Sequence, residues 1–274
     1  MASAFTSVEH YENFPVASFV LPARLRRPVA VIYAFAREAD DIADEGDAPP
    51  DARLADLAAR ADELDRIERG EPPRTPLYAA LAQTIHEFRL PLAPFRDLLD
   101  AFRQDVTKTR YATFDEVLDY CRRSANPVGR LLMHLFGDTA ERLLAMSDAI
   151  CTSLQLINFL QDIAIDHSRG RIYLPQDSLA SFGVTEAQIG AATVDDAWRA
   201  LMAFEIGRTR SLLDFGTPLG RALPGRIGLE LRLIAASGGR ILDRIESVGG
   251  DVFRRRPTLG ARDALPILWR AIVR

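Results

Sequence analysis

Residues 155–166 read QLINFLQDIAID. The stretch has the composition of a buried helix, with Leu156, Ile157, Phe159, Leu160, Ile163, Ala164 and Ile165, yet Gln155, Asn158, Gln161, Asp162 and Asp166 share its three turns. Burying a carboxylate without a partner is expensive. Gln155, Asn158 and Asp162 follow the spacing i, i+3, i+7, and Asp166 lies only slightly rotated from them, so the polar groups form one stripe. A stripe facing solvent is the plain alternative. Solvated stripes are usually built from Lys and Glu, however, and this one is made of amides and aspartates among apolar neighbours.

A second acidic helix explains what such a stripe could do. In READDIAD (37–44), Asp40 and Asp44 are four apart and lie on one helix face, separated by roughly 6 Å of rise. Arg37 precedes Asp40 and Asp41 by one turn, and the apolar run VAVIYAFA (29–36) leads into it. Asp162 and Asp166 repeat the same spacing 122 residues later. Carboxylates so placed repel one another unless a cation sits between them. Hard oxygen donors suit Mg²⁺, which keeps several waters and completes its shell with phosphate oxygens. If the two helices face each other, four carboxylates converge on one cavity and can hold metal against a diphosphate leaving group. An apolar remainder would host a hydrocarbon and keep stray water from a carbocation.

The rest of the chain supports a helical frame for these motifs. Its 274 residues are 48% hydrophobic and 26% charged, with a formal charge of −4, which fits a globular protein and argues against a nucleic-acid partner. Period-2 strand patterns are missing. Helices are expected near 22–44, 51–69, 76–89, 93–106, 114–136, 138–167, 194–214, 221–247 and 259–272, with Pro- and Gly-rich breaks between them, Asp51 and Thr113 as N-caps, and a kink or restart at Pro127. The expectation is a single all-α domain over residues 1–274, a helical bundle around a central cavity. Cys121 and Cys151 have neither metal nor redox spacing, and no leader or 18-residue uncharged apolar span is seen, so a reducing cytoplasm is expected. Arg169, Arg171 and Tyr173, in the loop after the second motif, are candidate grips for diphosphate oxygens, as is Arg37.

RxxDDxxD at 37–44, QxxNxxxD at 155–162 with the DIAID that closes it, and GRIYLP at 170–175 resemble the squalene/phytoene synthase family, from HYENF near residue 10 to ILDRI near 245. The resemblance implies the all-α isoprenoid (terpenoid) synthase fold, Mg²⁺ dependence and chemistry on C15 or C20 prenyl diphosphates. By motif match, Asp40, Asp44, Asp162 and Asp166 would bind Mg²⁺–diphosphate with Asn158 and Gln155 beside them, and Arg37 and Arg171 would contact phosphate.

Departures from the family pattern point to the reaction. Relatives carry Ser-Lys after an N-terminal His; this chain reads His10-Tyr11-Glu12-Asn13-Phe14. Relatives place Arg where Gln161 stands, and Asn126-Pro127 interrupts the usual VAGxVG. Together these resemble the hydroxysqualene synthases of bacterial hopanoid biosynthesis, which imply presqualene diphosphate as substrate and water as the quenching nucleophile. A single diphosphate needs fewer cationic grips, and Tyr11, Asn126 or Gln161 could position a water. The rival within the fold is head-to-head condensation of two farnesyl or geranylgeranyl diphosphates. A catalytically inactive helical scaffold is the rival outside enzymes, and the intact aspartates speak against it. Pathway partner enzymes are implied by the reaction series. The C-terminal ALPILWRAIVR (264–274) is expected to be an ordinary packing helix, with peripheral contact at the inner membrane face as the alternative.

Overall fold

The computed structural model describes residues 21–273, which leaves His10 and Tyr11 outside the described residues. Regular structure among the described residues is helical, apart from one isolated parallel bridge between Arg110 and Ile172. The long helices are α1 (Ala23–Asp44), α2 (Pro50–Glu68), α3 (Pro76–Phe88), α4 (Ala93–Asp105), α5 (Phe114–Ser124), α6 (Asn126–Phe136), α7 (Glu141–Ser168), α10 (Asp196–Gly216), α12 (Gly225–Ser247) and α13 (Ala264–Val273). Short helices α8 (Gln176–Ser181), α9 (Glu186–Gly190) and α11 (Leu219–Ala222) lie in segments too brief for a periodic signal.

The sequence places most long elements within a few residues, and the differences have local causes. The single helix expected over 114–136 is two helices. Ala125 breaks the path, and Pro127 sits in the first turn of α6, where its missing N–H costs nothing. Thr113 caps α5 as expected, its hydroxyl accepting from the Glu116 N–H at 3.3 Å. Asp51 is not an N-cap; Pro49 holds that place and Asp51 lies in the first turn of α2. The C-terminal helix starts at Ala264, five residues later than expected, because Gly260–Asp263 form a cap and a 3-10 turn.

The chain packs as two compact units. One comprises the described residues up to Lys108 with Arg123–Leu144; the other comprises Thr109–Arg122 with the described residues from Ala145. In the first, α1 packs on α2, α3 and α4. Phe35 of α1 is its centre, meeting Tyr78 at 5.8 Å and Phe95 at 5.2 Å, both edge-on. Such pairs add about 0.5–1.5 kcal/mol beyond their buried area. This packing fixes the helix whose last turns carry the first aspartate motif.

In the second unit, α7 lies against α10 at a close approach. A Cβ on Gly216 would sit 2.6 Å from Ile150 Cγ1 and 2.7 Å from the Met146 carbonyl, so only glycine fits. α7 is long and apolar enough to cross a bilayer by length and composition, with a mean hydropathy of 1.4 in its best window, but half of that window is buried inside the protein. The C-terminal part of this unit hangs on a buried carboxylate. Asp263 is fully buried and receives Arg240 Nε at 2.8 Å, Arg244 Nη2 at 2.5 Å and the Gly260 N–H at 2.7 Å. Arg270 of α13 adds a 2.8 Å ion pair to Asp243 of α12.

Burial works against the Asp263 carboxylate, but the Gly260 N–H and both arginines outweigh it and hold its pKa below the usual range. A depressed carboxyl contributes stability that is present above its unfolded pKa and lost as pH falls below about 4. Asp263→Ala should therefore cost about 3 kcal/mol at neutral pH, since it strands two arginines. Thermal melts across pH 2.5–7 should show the gap between variant and parent narrowing toward the acid end.

Candidate functional site

Both aspartate motifs lie in the last turns of their helices. α1 ends at Asp44 and α7 at Ser168, so the carboxylates gather where the helix dipole is already negative. Helix stability alone would place lysine or arginine there, and α1 has no basic residue in its last turn.

On α1, Arg37, Asp40, Asp41 and Asp44 are all half-buried. Arg37 reaches forward to Asp40 at 3.1 Å, Asp41 at 2.7 Å and Glu45 at 2.7 Å. Partial burial disfavours its charge, but Asp41, Asp40 and Glu45 outweigh that and raise its pKa, so Arg37 is a fixed cation over the motif. The carbonyls at the end of α1 are held by Arg53 of α2. Its guanidinium donates to Ile42 O at 2.9 Å, Ala43 O at 2.7 Å, Gly46 O at 2.6 Å and Ala48 O at 2.9 Å. One side chain thus satisfies carbonyls that the helix leaves unpaired and fixes the turn after Asp44.

On α7, the polar stripe is where periodicity places it. Gln155, Asn158, Asp162 and Asp166 are half-buried, while Leu156, Ile157, Leu160 and Ile163 are buried. Ile165, expected in the core, is 42% exposed. Asp162 is held by Arg256 through two parallel contacts, Nε to Oδ1 and Nη2 to Oδ2, the second at 3.0 Å. The neighbouring Gln161 is buried, and its amide donates to the Pro257 carbonyl at 2.5 Å. Residues 256–257 are therefore clamped onto 161–162 by an ion pair and a hydrogen bond side by side.

The loop after α7 is held in the same manner as the turn after α1. The Arg171 N–H closes back on Asp166 O at 2.8 Å around Gly170, whose φ of +78° favours glycine. Arg110 donates to Gly170 O at 2.6 Å while forking onto Glu186 at 2.7 and 2.9 Å. The strap 109–112 runs beside the loop, with hydrogen bonds from the N–H groups of Ile172, Gln176 and Asp177 to Thr109, Tyr111 and Ala112. Tyr173, expected to grip phosphate oxygens, lays its ring flat on Phe159 at 3.8 Å and 5°, with Tyr111 stacked 5.6 Å away. Asn126 is buried at the start of α6.

Sequence reasoning missed Arg53, Arg110 and Arg256. Arg256 had a visible signal: of the run 254–256, Arg254 has an acidic residue three positions earlier, in Asp251, and Arg256 has none nearby in sequence. Arg53 and Arg110 act on backbone carbonyls far from them in sequence, and no side-chain pattern announces that.

Among the described residues, no three Asp, Glu, His or Cys side chains gather closely enough to hold a metal unaided. The donor chemistry nevertheless fits Mg²⁺, which binds through one or two carboxylates and takes its remaining oxygens from water and substrate phosphate. Each motif offers such a pair at a negative helix end, and on each an arginine already sits as counter-charge.

The sequence matches the squalene/phytoene synthase family over residues 8–263. It is 39% identical to a hydroxysqualene synthase of Rhodopseudomonas palustris, over 86% of this chain and 80% of that protein. It is 30% identical to a 15-cis-phytoene synthase of Synechococcus elongatus, over 95% and 89%. The fold superposes on the crystal structure of the squalene synthase HpnC from Alicyclobacillus acidocaldarius with a TM-score of 0.82 and 41% identity, covering 88% of this chain and 90% of that one. The all-α isoprenoid synthase fold and the enzymatic class expected from the motifs are thereby established, and the chain belongs to the squalene/phytoene synthase family.

Proposed function

We propose that this enzyme converts presqualene diphosphate to hydroxysqualene, releasing diphosphate and capturing water, as a step of squalene and hopanoid biosynthesis. The observation that carries the choice within the family is Gln161. The residue before Asp162 is a buried amide tied to the Pro257 carbonyl rather than a cation, so the second motif has one anion grip fewer than condensation of two diphosphates would call for. The two hydroxysqualene synthases at 39% and 37% identity support the same reading. Condensation of two prenyl diphosphates is the alternative, favoured by the phytoene synthase at 30%. The reading treats the whole chain as one catalytic domain.

In this reading Asp40 and Asp44 of α1 and Asp162 and Asp166 of α7 hold Mg²⁺–diphosphate, with Asn158 and Gln155 beside the second pair. Bound Mg²⁺ would neutralise the departing diphosphate. Arg37 and Arg171 add fixed positive charge to the leaving group, and an ion pair to diphosphate is bidentate in the geometry Arg prefers. Arg256 orients Asp162 before the cation arrives. Tyr173 would contact the substrate, Asn126 and Gln161 would contact it or position a water, and His10 and Tyr11 are assigned to the substrate by motif position alone.

The C-terminal helix supports a peripheral membrane contact for a substrate and product that are nearly insoluble in water. α13 packs on α12, yet Leu265, Leu268, Trp269, Ile272 and Val273 are 78%, 45%, 67%, 63% and 53% exposed. An apolar face that carries Trp269 suits the boundary between headgroups and acyl chains.

Four outcomes are expected. With presqualene diphosphate as sole substrate and Mg²⁺ present, the enzyme should release pyrophosphate and form hydroxysqualene; turnover of farnesyl diphosphate alone, with presqualene diphosphate left untouched, would place the enzyme at the earlier step. Asp162→Asn should lower kcat at least ~100-fold, equivalent to about 2.7 kcal/mol, whereas Arg256→Gln should tighten Mn²⁺ binding to the substrate-free protein several-fold by removing its competitor. Replacing Leu265 and Trp269 by Glu should abolish co-sedimentation with anionic vesicles while leaving the melting temperature within a few degrees.

A further inference from the structure

Arg256 reaches Asp162 from residues 251–260, a strap that has neither helix nor strand. An ion pair with side chains 19% and 24% exposed contributes little if those side chains must be ordered for that pair alone. The strap is ordered by other contacts. At its base the Trp198 indole N–H donates to Gly250 O at 2.9 Å, and the Trp198 ring lies 4.7 Å from that of Phe253. Pro257 fixes its own φ and disfavours helical backbone at Arg256. Two successive carbonyls then tie the strap to two helices. Pro257 O accepts from the Gln161 amide of α7 at 2.5 Å, and Thr258 O accepts from Arg244 Nη1 of α12 at 2.7 Å.

Arg244 is itself held by the buried carboxylate. Its Nε and Nη2 fork onto Asp263 at 3.1 and 2.5 Å, and Asp263 is fixed in turn by Arg240 Nε at 2.8 Å and the Gly260 N–H at 2.7 Å. A guanidinium is planar and rigid, so a two-point hold on Asp263 sets the direction in which Nη1 points. Thr258 lies two residues after Arg256, within about 7 Å of chain. Bonds therefore run without a gap from a fully buried carboxylate, through Arg244 and Thr258, to the residue that neutralises Asp162. Thr258 is exposed, so water could satisfy its carbonyl, and stability alone does not call for the bond to Arg244.

We propose that Arg244 is a positioning residue for the second aspartate motif: it holds the strap so that Arg256 is presented to Asp162, and thereby sets how tightly a divalent cation binds there. This rests on the reading of Asp162 as a metal ligand. With the strap fixed, Arg256 loses little freedom on pairing and competes well with the cation; with the strap loosened, it competes less.

The test measures Mn²⁺ binding to the substrate-free protein for the parent, Arg244→Lys, Arg256→Gln and the double variant. Lysine keeps the charge beside Asp263 but lacks the planar fork that also reaches Thr258. Arg244→Lys should tighten Mn²⁺ binding ~2-fold or more relative to the parent and leave it unchanged in the Arg256→Gln background, because its effect runs through Arg256. No tightening relative to the parent, or the same tightening without Arg256, overturns the proposal. A role confined to folding would lower the melting temperature without this dependence on Arg256. Arg244→Met, which keeps the aliphatic stem, is measured in the same two backgrounds if the lysine variant fails to fold. Asp162→Asn separates the two readings. If it leaves Mn²⁺ binding unchanged, Asp162 is not a ligand and this assignment falls with that one; if it weakens binding while the Arg244 variants have no effect, the positioning role alone is overturned.

Discussion

Carboxylates at helix C-termini are the constraint on which the candidate site depends. The helix dipole and the aspartates are both negative there, a combination that costs a helix about 0.3–1 kcal/mol per charge. The protein offsets it with arginines, one within the first motif and three from outside the motifs. Arg37 and Arg53 serve the end of α1, and Arg256 and Arg110 the end of α7. At each end one arginine neutralises carboxylate and another ties down backbone carbonyls. A helix end built this way is negative enough to attract a divalent cation and rigid enough to keep its donors in place when the cation binds.

The two arginine roles differ in what a ligand can do to them. Arg53 and Arg110 donate to main-chain oxygens, and Arg110 also forks onto Glu186, so neither pairs with a motif carboxylate. Arg37 and Arg256 pair with the carboxylates a metal would claim. Those pairs are partly exposed, with Arg256 and Asp162 at 19% and 24%. Exchange of an arginine for a dication at such a site involves little desolvation that has not already occurred.

The sequence carried the parts of this that depend on periodicity. The α7 stripe was legible because Gln155, Asn158, Asp162 and Asp166 are half-buried while their neighbours Leu156, Ile157 and Leu160 are buried, as a 3.6-residue period requires. Helix α1 was legible for the same reason. What periodicity cannot encode is contact between distant segments. Arg110 meets Gly170 across sixty residues and Arg256 meets Asp162 across ninety-four, and neither pair leaves a local trace. The break at Ala125 was half legible: Pro127 predicts a disturbance, but a first-turn proline is as compatible with a new helix as with a kink in an old one.

Gln161 and Tyr173 change character for a related reason. As letters they are polar groups beside a diphosphate motif. In the fold, Gln161 spends its amide on a carbonyl and Tyr173 spends its ring on Phe159. Glu205 goes the other way: no motif singles it out, yet it is more deeply buried than any aspartate of the two motifs and pairs with Arg208 one turn on.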